Sequence, residues 1–398
     1  MRISEKILFI GTSMLLLKRK NTIQLSGIYI HIPYCKKACH YCDFHFSTTK
    51  YNSAEMMDCI NKEMLLRKNY LQDEIETIYF GGGTPSLLKA EEIRRVTETI
   101  RNNFTVTEFP EITLEANPDD IDEESILQWK FAGINRLSIG VQSFHQKDLE
   151  WMNRAHDEKQ ALNCVLLAQD AGIENISCDL IYGTPLLTDE MWNENLNKIA
   201  FLKIPHLSAY ALTVEPRTAL HKMIEKKKVE NINMNKQAHQ FDMLMLWAKE
   251  NNFEHYEISN FAKNGRRSKH NSSYWLGKHY LGIGPSAHSF NGNARRFNIA
   301  NNALYIQSLK NNDLPFEEEI LTKENKLNEY IMISLRTIQG TDLNKIEKEF
   351  DISQRKRIEE LAGKYMYQGM IIAYNNYLIL TDKGKHYADR IAADLFTV

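Results

Sequence analysis

Tyr29-Ile30-His31-Ile32-Pro33-Tyr34-Cys35-Lys36-Lys37-Ala38-Cys39-His40-Tyr41-Cys42-Asp43 is the stretch on which the fold turns. Gly27 and the apolar, β-branched run Ile28 to Ile32 predict a buried strand, and Pro33 stops it because proline cannot donate to a ladder. Three cysteines follow within eight residues, spaced C-x3-C-x2-C on one loop. The chain holds only six cysteines in 398 residues, too few and too clustered for a disulfide framework. The clustering fits a metal in a reducing, cytoplasmic compartment.

Thiolates suit both zinc and iron. A Cys3His zinc site with His40 or His45 as fourth ligand is one reading, although structural zinc usually draws its ligands from two separated pairs. A [4Fe-4S] cubane on Cys35, Cys39 and Cys42 is the other. It leaves one iron open to a ligand bearing an amine and a carboxylate. S-adenosylmethionine (SAM) has both, and an electron passed into its sulfonium can break a carbon-sulfur bond. The single tight loop favours the cubane.

Outward from this loop, apolar β-rich runs alternate with segments of helical period. The strands are expected at Ile28 to Ile32, Thr77 to Phe80, Ile112 to Glu115, Arg136 to Val141, Ile176 to Ile181 and His206 to Leu212. Helices are expected near 52 to 70, 90 to 102, 122 to 132, 158 to 171, 190 to 201 and 236 to 250. Six βα units fall short of the eight that close a barrel. The expected fold is therefore α/β, a partial open (β/α)6 barrel with a parallel sheet, its chemistry at the C-terminal strand ends. Glu115, Gln142, Asp179 and the turns Gly81-Gly82-Gly83-Thr84-Pro85 and Gly183-Thr184-Pro185 fall at those ends.

The chain changes character near its end. Helices through Arg336, over Leu343 to Phe350 and over Gln354 to Gln368, a hairpin Ile371 to Leu380 and a helix from Asp382 predict a small winged-helix-like α+β domain over 316–398, after a barrel over 27–315. Residues 1–26 read as an N-terminal extension: the apolar run Ile7 to Leu17 is too short for a bilayer of roughly 30 Å, and Lys18, Arg19 and Lys20 follow it in place of a small-residue cleavage site. Forty-nine basic against 51 acidic side chains leave no basic footprint for nucleic acid. The C-terminal domain is accordingly expected to be a lid or docking module.

The cysteine loop, with Tyr29, His31, Ile32 and Pro33 before it, resembles the radical SAM enzymes, and within them the oxygen-independent coproporphyrinogen III oxidase group, over about residues 27–398. The resemblance implies the [4Fe-4S] cluster and SAM. It also implies SAM contacts at Tyr29, Gly82, Gly83, Thr84, Glu115, Gln142, Arg154, Asp179, Ala211 and His288, with Tyr41 packed beside the cluster. Plainer accounts stand beside these: a bland strand-to-helix turn for the glycines, rim polarity for the carboxylates, core packing for the tyrosines. Gly282-Ile283-Gly284-Pro285-Ser286-Ala287 is not a dinucleotide fingerprint, because Pro285 interrupts it and no acidic residue follows about 20 positions on. Cys59, Cys164 and Cys178 read as buried packing residues.

Within that group the resemblance points to the heme-chaperone branch. The decarboxylating oxidases carry a fourth cysteine two residues after the third, where this chain has Phe44, and a longer N-terminal segment. His270-Asn271-Ser272-Ser273-Tyr274-Trp275 resembles the HNxxYW motif of the chaperones. His270 or Tyr274 could ligate heme iron and Trp275 could face the macrocycle; a capping histidine among core aromatics is the plainer account. The expected function is transfer of heme to an acceptor protein, a respiratory one at the membrane surface, with a reductant protein as a second partner. Radical decarboxylation of coproporphyrinogen III is the alternative.

Overall fold

The computed structural model describes residues 25–397, so the expectation about the N-terminal extension falls, up to residue 24, outside the described residues. The first six strands are β1 (Leu25–Ile32), β2 (Glu74–Gly82), β3 (Val106–Ala116), β4 (Arg136–Gln142), β5 (Ile176–Tyr182) and β6 (His206–Ala211). Each pairs in parallel with the next. β1 begins two residues before Gly27, because Leu25 and Ser26 already pair with Glu74 and Ile75. Between the strands run helices α1 (Ser53–Leu66), α2 (Ala90–Asn103), α3 (Glu123–Phe131), α4 (Gln146–Trp151), α5 (Glu158–Asp170) and α6 (Asp189–Phe201), and after β6 come α7 (Ala219–Glu225) and α8 (Met234–Glu250). The caps explain several helix starts: Asp122, Asp157 and Thr188 accept backbone N–H bonds from Ser125, Gln160 and Met191.

The sheet is longer than the six strands expected. β7 (Glu254–Glu257), β8 (Asn260–Ala262), β9 (Tyr280–Ile283), β10 (His288–Phe290), β11 (Ala294–Asn298) and β12 (Phe316–Ile320) extend it to twelve, in the order β12-β11-β10-β9-β1-β2-β3-β4-β5-β6-β8-β7. These strands run only three to five residues, too short for a period of two to be read, and β12 is mostly glutamate. β9 continues the parallel set against β1, while the others are antiparallel. β12 pairs with β11, so the large sheet runs past the boundary drawn at residue 315. The order has two ends, β12 and β7, and the barrel is open.

Strand alternation decides what the barrel can hold. One face carries Ile28, Ile30 and Ile32, Ile78 and Phe80, Ile112 and Leu114, Leu137 and Ile139, Cys178 and Leu180, and Leu207, all in one core under the helices. The opposite face carries polar residues in register. One row runs Tyr29, Tyr79, Thr113, Arg136; another runs Glu115, Ser138, Ser177, His206. The interior is thus polar, unlike the packed apolar layers of a closed eight-stranded barrel.

Two further helices, α9 (Lys269–Trp275) and α10 (Asn302–Lys310), precede the C-terminal unit. That unit is built from α11 (Lys323–Leu335), β13 (Thr341–Asp342), α12 (Leu343–Phe350), α13 (Ile352–Tyr367), β14 (Ile371–Tyr374), β15 (Tyr377–Leu380), α14 (Asp382–Lys385) and α15 (Ala388–Leu395). Its sheet order is β13-β15-β14, over a separate core that includes Leu327, Ile331, Ile346, Ile358 and Ile391. The final helix is broken after Lys385, unlike the single helix expected. The unit docks through Arg336, which donates to Glu257 at 3.2 Å and lies over the Trp275 ring at 5.5 Å, and through His386, 2.7 Å from Asp242. Among the described residues no helix is long and apolar enough to cross a membrane.

Candidate cofactor site

The cysteine loop leaves the C-terminal end of β1 and is clamped from both sides. Cys35 N–H donates to Ser47 O at 3.0 Å, and Gly83 N–H donates back to Ile32 O at 2.8 Å. On the far side His40 N–H reaches Met152 O at 3.2 Å, Leu220 N–H of α7 reaches His40 O at 2.7 Å, and Asn153 Nδ2 reaches Ala38 O at 2.7 Å. The three thiols are free and half-buried, whereas Cys59, Cys164 and Cys178 are buried as expected. Burial, together with the neighbouring Cys39 and Cys35, pushes the Cys42 thiol up to about 12, and burial raises Cys35 as well. A positively charged metal centre would relieve that cost.

The donor set discriminates between the two metal readings. Among the described residues no three His, Cys, Asp or Glu side chains converge closely enough to hold one metal ion. The zinc alternative therefore lacks a converged set of donors. A four-iron body, with a thiolate at each of three corners, does not need the sulfurs to converge. Cys35, Cys39 and Cys42 fit it.

Three strand-end segments, those of β2, β3 and β4, join this loop through one chain of bonds centred on Arg154, which follows α4. Arg154 Nη1 donates to Cys39 Sγ at 3.2 Å, and its Nη2 donates to Asn117 Oδ1 at 2.8 Å and Gly140 O at 2.7 Å. Asn117 Nδ2 in turn donates to Thr84 Oγ1 at 3.3 Å. Tyr41 lies beside it, its hydroxyl 3.5 Å from Arg154 Nη1. From sequence Asn117 stands with Glu115 and Pro118 among the polar and turn residues after the third strand, without a contact assigned to it. Its place between Glu115 and Pro118, directly after a strand, was the available signal.

Two carboxyls face the interior from β3 and β5. Glu115 accepts from Tyr79 OH at 2.8 Å and Gly82 N–H at 3.1 Å, yet burial raises it to about 7. Burial likewise raises Asp179 to about 6, with Ser138 Oγ 3.3 Å away. Both are poised to accept from a cationic or hydroxyl-bearing ligand, which would restore the ionised form. Gln142 ends β4 in the left-handed region at φ 65°, turning the chain at the rim. Ala211 is the last residue of β6, half-buried. Tyr210 beside it keeps 43 % of its surface free although it belongs to the sheet's interior, and was not singled out as a contact.

The glycines serve the protein's own packing first. A Cβ on Gly82, at φ 108°, would sit 2.6 Å from the His31 ring, and one on Gly83 would sit 2.6 Å from Tyr34 O. His31 is thereby fixed: its Nε2–H donates to His45 O at 2.9 Å, so Nδ1 accepts from Tyr29 OH at 3.3 Å. His288 lies exposed on β10, across β9 from β1.

The histidine-tyrosine-tryptophan segment is brought to the opposite end of the barrel. It forms α9, whose first amides, Lys269 N–H and His270 N–H, are capped by the Glu111 carboxylate at 3.2 and 3.1 Å. His270 is buried against the start of β1 and β2, its Nδ1 2.7 Å from Thr77 Oγ1 and its Nε2 2.9 Å from Tyr274 OH, with the ring stacked on Tyr79 at 4.9 Å. Burial, and then Arg136, holds it neutral, with its pKa down at about 3. Both ring nitrogens are engaged, so in this conformation neither is open to iron. Trp275 is half-buried, with an unpartnered Nε1. About five strand residues, roughly 17 Å at 3.3 Å each, separate this floor from the cysteine loop.

Residues 29–199 match the Radical SAM superfamily model, and residues 321–386 match the HemN C-terminal domain. The chain is 31% identical to the heme chaperone HemW of Bacillus subtilis over 366 residues, covering 91% of this chain and 96% of the relative. It is 31% identical to the heme chaperone HemW of Lactococcus lactis, covering 90% and 94%. The solved coproporphyrinogen III oxidase HemN of Escherichia coli superposes with a TM-score of 0.82 at 22% identity, over 94% of this chain and 90% of that one, which shows the shared fold.

Proposed function

The chain belongs to the heme chaperone HemW family of the radical SAM superfamily, and on that premise we propose that it binds heme and passes it to an acceptor protein, with a [4Fe-4S] cluster and SAM at the barrel's rim. Family membership implies both cofactors. When bound, the cluster supplies an electron and an open iron, and SAM supplies its amine, carboxylate and sulfonium. The chain does the rest. Cys35, Cys39 and Cys42 hold the cluster, and Arg154 beside Cys39 offsets thiolate charge. Glu115 and Asp179 would accept from SAM's ammonium or ribose hydroxyls, and Gly82, Gly83, Thr84, Gln142, Ala211, Tyr29 and His288 would wall the pocket.

One observation carries this reading above all: Arg154 bonds Cys39 and Asn117 at once, and Asn117 bonds Thr84, so the cysteine loop and the strand-end turns form a single rim. Heme is assigned to the floor segment, with Trp275 as its aromatic face. His270 or Tyr274 could ligate iron only after the bond between them opens. The reductant protein approaches on the side of Cys42, where a cavity of about 470 Å3 is lined by Cys42, Asp43, Pro216, Arg217 and Thr218. The work is placed in the cytoplasm, with the acceptor a respiratory protein at the membrane surface.

Phe44 stands 68 % exposed two residues after Cys42, so no thiol occupies that position for porphyrinogen oxidation. Reconstituted chain incubated anaerobically with coproporphyrinogen III, SAM and reductant, alongside heme-loaded chain mixed with an apo heme protein, tests the reading. Heme transfer without protoporphyrinogen formation is expected. Steady decarboxylation would overturn it.

A further inference from the structure

α1 and its C-cap residue Arg67 carry a charged pair on the buried face. Met56, Met57, Ile60 and Met64 face the core, and on the same side Glu63 and Arg67 meet at 2.9 Å, each side chain only 1% exposed. A buried ion pair is weak evidence for stability, because desolvation takes back most of the Coulomb gain. What the pair holds in place is a better guide. Three of the four bonds to the Glu63 carboxylate come from outside the helix: besides Arg67, Oε1 accepts from Asn298 Nδ2 at 2.8 Å, while Oε2 accepts from Gly284 N–H at 2.9 Å and from Tyr305 OH at 2.6 Å. Arg67 donates to Gly282 O at 2.9 Å and to Ser289 Oγ at 2.8 Å. Ser289 Oγ accepts from Gly282 N–H at 3.0 Å, and Asn298 Nδ2 also reaches Gly284 O at 2.9 Å.

Apart from the Tyr305 bond, these bonds converge on one segment, Gly282 to Ser289, which takes in the end of β9, the turn after it and the start of β10. β9 is the parallel neighbour of β1, so the turn emerges at the same rim as the cysteine loop. It presses on that strand: a Cβ on Gly284, at φ 102°, would lie 2.5 Å from His31 O, and a Cβ on Gly282 would lie 2.0 Å from His288 O. The turn also contains Ser286 in the left-handed region at φ 65°. The turn has backbone bonds of its own, Ala287 N–H to Gly284 O at 3.2 Å and Ser286 N–H to Ile299 O at 3.0 Å, and the charged pair beneath adds those that hold Gly282 O and Gly284 N–H.

We propose that Glu63 and Arg67 are positioning residues, a buried charged clamp that fixes the 282–289 turn as the wall of the cofactor pocket beside the cysteine loop. The part concerning the pocket rests on the SAM-site reading above. The clamp itself does not.

The experiment compares three full-length chains: wild type, the double variant Glu63→Leu with Arg67→Met, and Asn298→Ala. The double variant removes both charges together and strands neither. Asn298→Ala cuts one bridge between clamp and turn without touching a charge, and so keeps the test open should the double variant not fold. Two readouts are taken: amide hydrogen exchange across residues 280–290 in the cofactor-free chain, and the SAM-induced change in the electron paramagnetic resonance spectrum of the reduced, reconstituted cluster as SAM is titrated. Exchange at Gly282 and Gly284 is expected to rise about tenfold or more while the rest of the sheet stays protected, with SAM affinity falling about tenfold at unchanged iron content, as expected for losing a hydrogen bond to a charged group. Unchanged exchange in the turn would overturn the clamp. A loosened turn with unchanged SAM affinity would overturn its positioning role. A wild-type spectrum that ignores SAM would instead fault the SAM-site reading, and the exchange result would still decide the clamp.

Discussion

Replacing His270 by alanine asks whether α9 closes the barrel floor as a structural plug. The imidazole makes two hydrogen bonds, to Thr77 at 2.7 Å and to Tyr274 at 2.9 Å, and stacks on Tyr79 with ring centroids 4.9 Å apart. Thr77 is fully buried, so alanine leaves its hydroxyl without a partner in a dry place. A lost bond with a stranded buried partner costs about 1 to 3 kcal/mol, and the aromatic contact adds about 1 kcal/mol. The expected destabilisation is about 4 kcal/mol, with some relief if water reaches Tyr274. For a domain of this size, roughly 2 °C per kcal/mol translates this into a melting temperature lower by about 8 °C. Tyr274→Phe cuts only one of these bonds and leaves the ring packed, so about a quarter of that shift is expected. Differential scanning calorimetry of the cofactor-free chains measures both, and a tryptophan fluorescence melt checks that the barrel is what unfolds. A His270→Ala chain melting within a degree of wild type would refute the plug, and Tyr274→Phe matching the alanine variant would refute the apportioning between the two bonds.

Glu115→Gln should change how stability depends on pH. Burial raises the native carboxyl from the ordinary range to about 7, so between about 4.5 and 7 the folded chain holds a proton that the unfolded chain releases; the wild type's stability relative to the variant should therefore fall as pH rises through that window and level off above it. Urea titrations of the two cofactor-free chains at pH 5, 6, 7 and 8 check it, and a flat or rising difference would contradict the buried, weakly partnered carboxyl. Cys39→Ala should abolish the broad iron-sulfur absorption near roughly 400 nm after reconstitution, and iron and sulfide persisting at wild-type levels would count against the ligand set. Gly82→Ala places a methyl 2.6 Å from the His31 ring at φ 108°, a strain of about 1 to 3 kcal/mol before the ring moves, so lower thermal stability and poorer cluster retention are expected together; a variant retaining both would show that His31 has room to shift. In a heme titration followed by absorbance, His270→Ala should alter the spectrum if that side chain exchanges Tyr274 for iron, and an unaltered spectrum would remove it from the heme site.

The parallel half of the fold was legible because its strands announce themselves twice, by apolar residues under the helices and by turn residues at their ends. Arg136 to Gln142 is read almost to the residue. The antiparallel additions were not, since β8 and β10 are three residues long and their pairing is dictated by neighbours distant in sequence. The rim residues could be gathered from strand ends, but Asn117 could be recognised as the link to Arg154 only in three dimensions. Glu63 and Arg67 were visible in principle: two charges four apart on the face that also carries Met57, Ile60 and Met64 break an apolar stripe, and such a break calls for buried partners. The floor segment was legible only in part. Its histidine and tyrosine are each readable as a candidate ligand, but that their spacing of four on a helix lets them bond each other shows only in three dimensions.

The polar interior makes sense of that last point. A row of Tyr29, Tyr79, Thr113 and Arg136 lies between the floor and the rim, and it is not inert packing. Tyr79 stacks on His270 below and donates to Glu115 above, and Glu115 in turn holds the Gly82 amide at the rim. Arg136 is almost wholly buried, with no hydrogen-bond partner for any of its three nitrogens. Its charge reaches both ends, lowering His270 and opposing the rise of Glu115 and Asp179. This layer is in contact with both ends. Opening the His270 to Tyr274 bond to admit iron would loosen the stack on Tyr79 and, through it, the acceptor geometry of Glu115. Deprotonating Glu115 against a bound cation would tighten the same contacts. Heme at the floor and a cofactor at the rim would then share one set of tyrosines, without the two ligands touching.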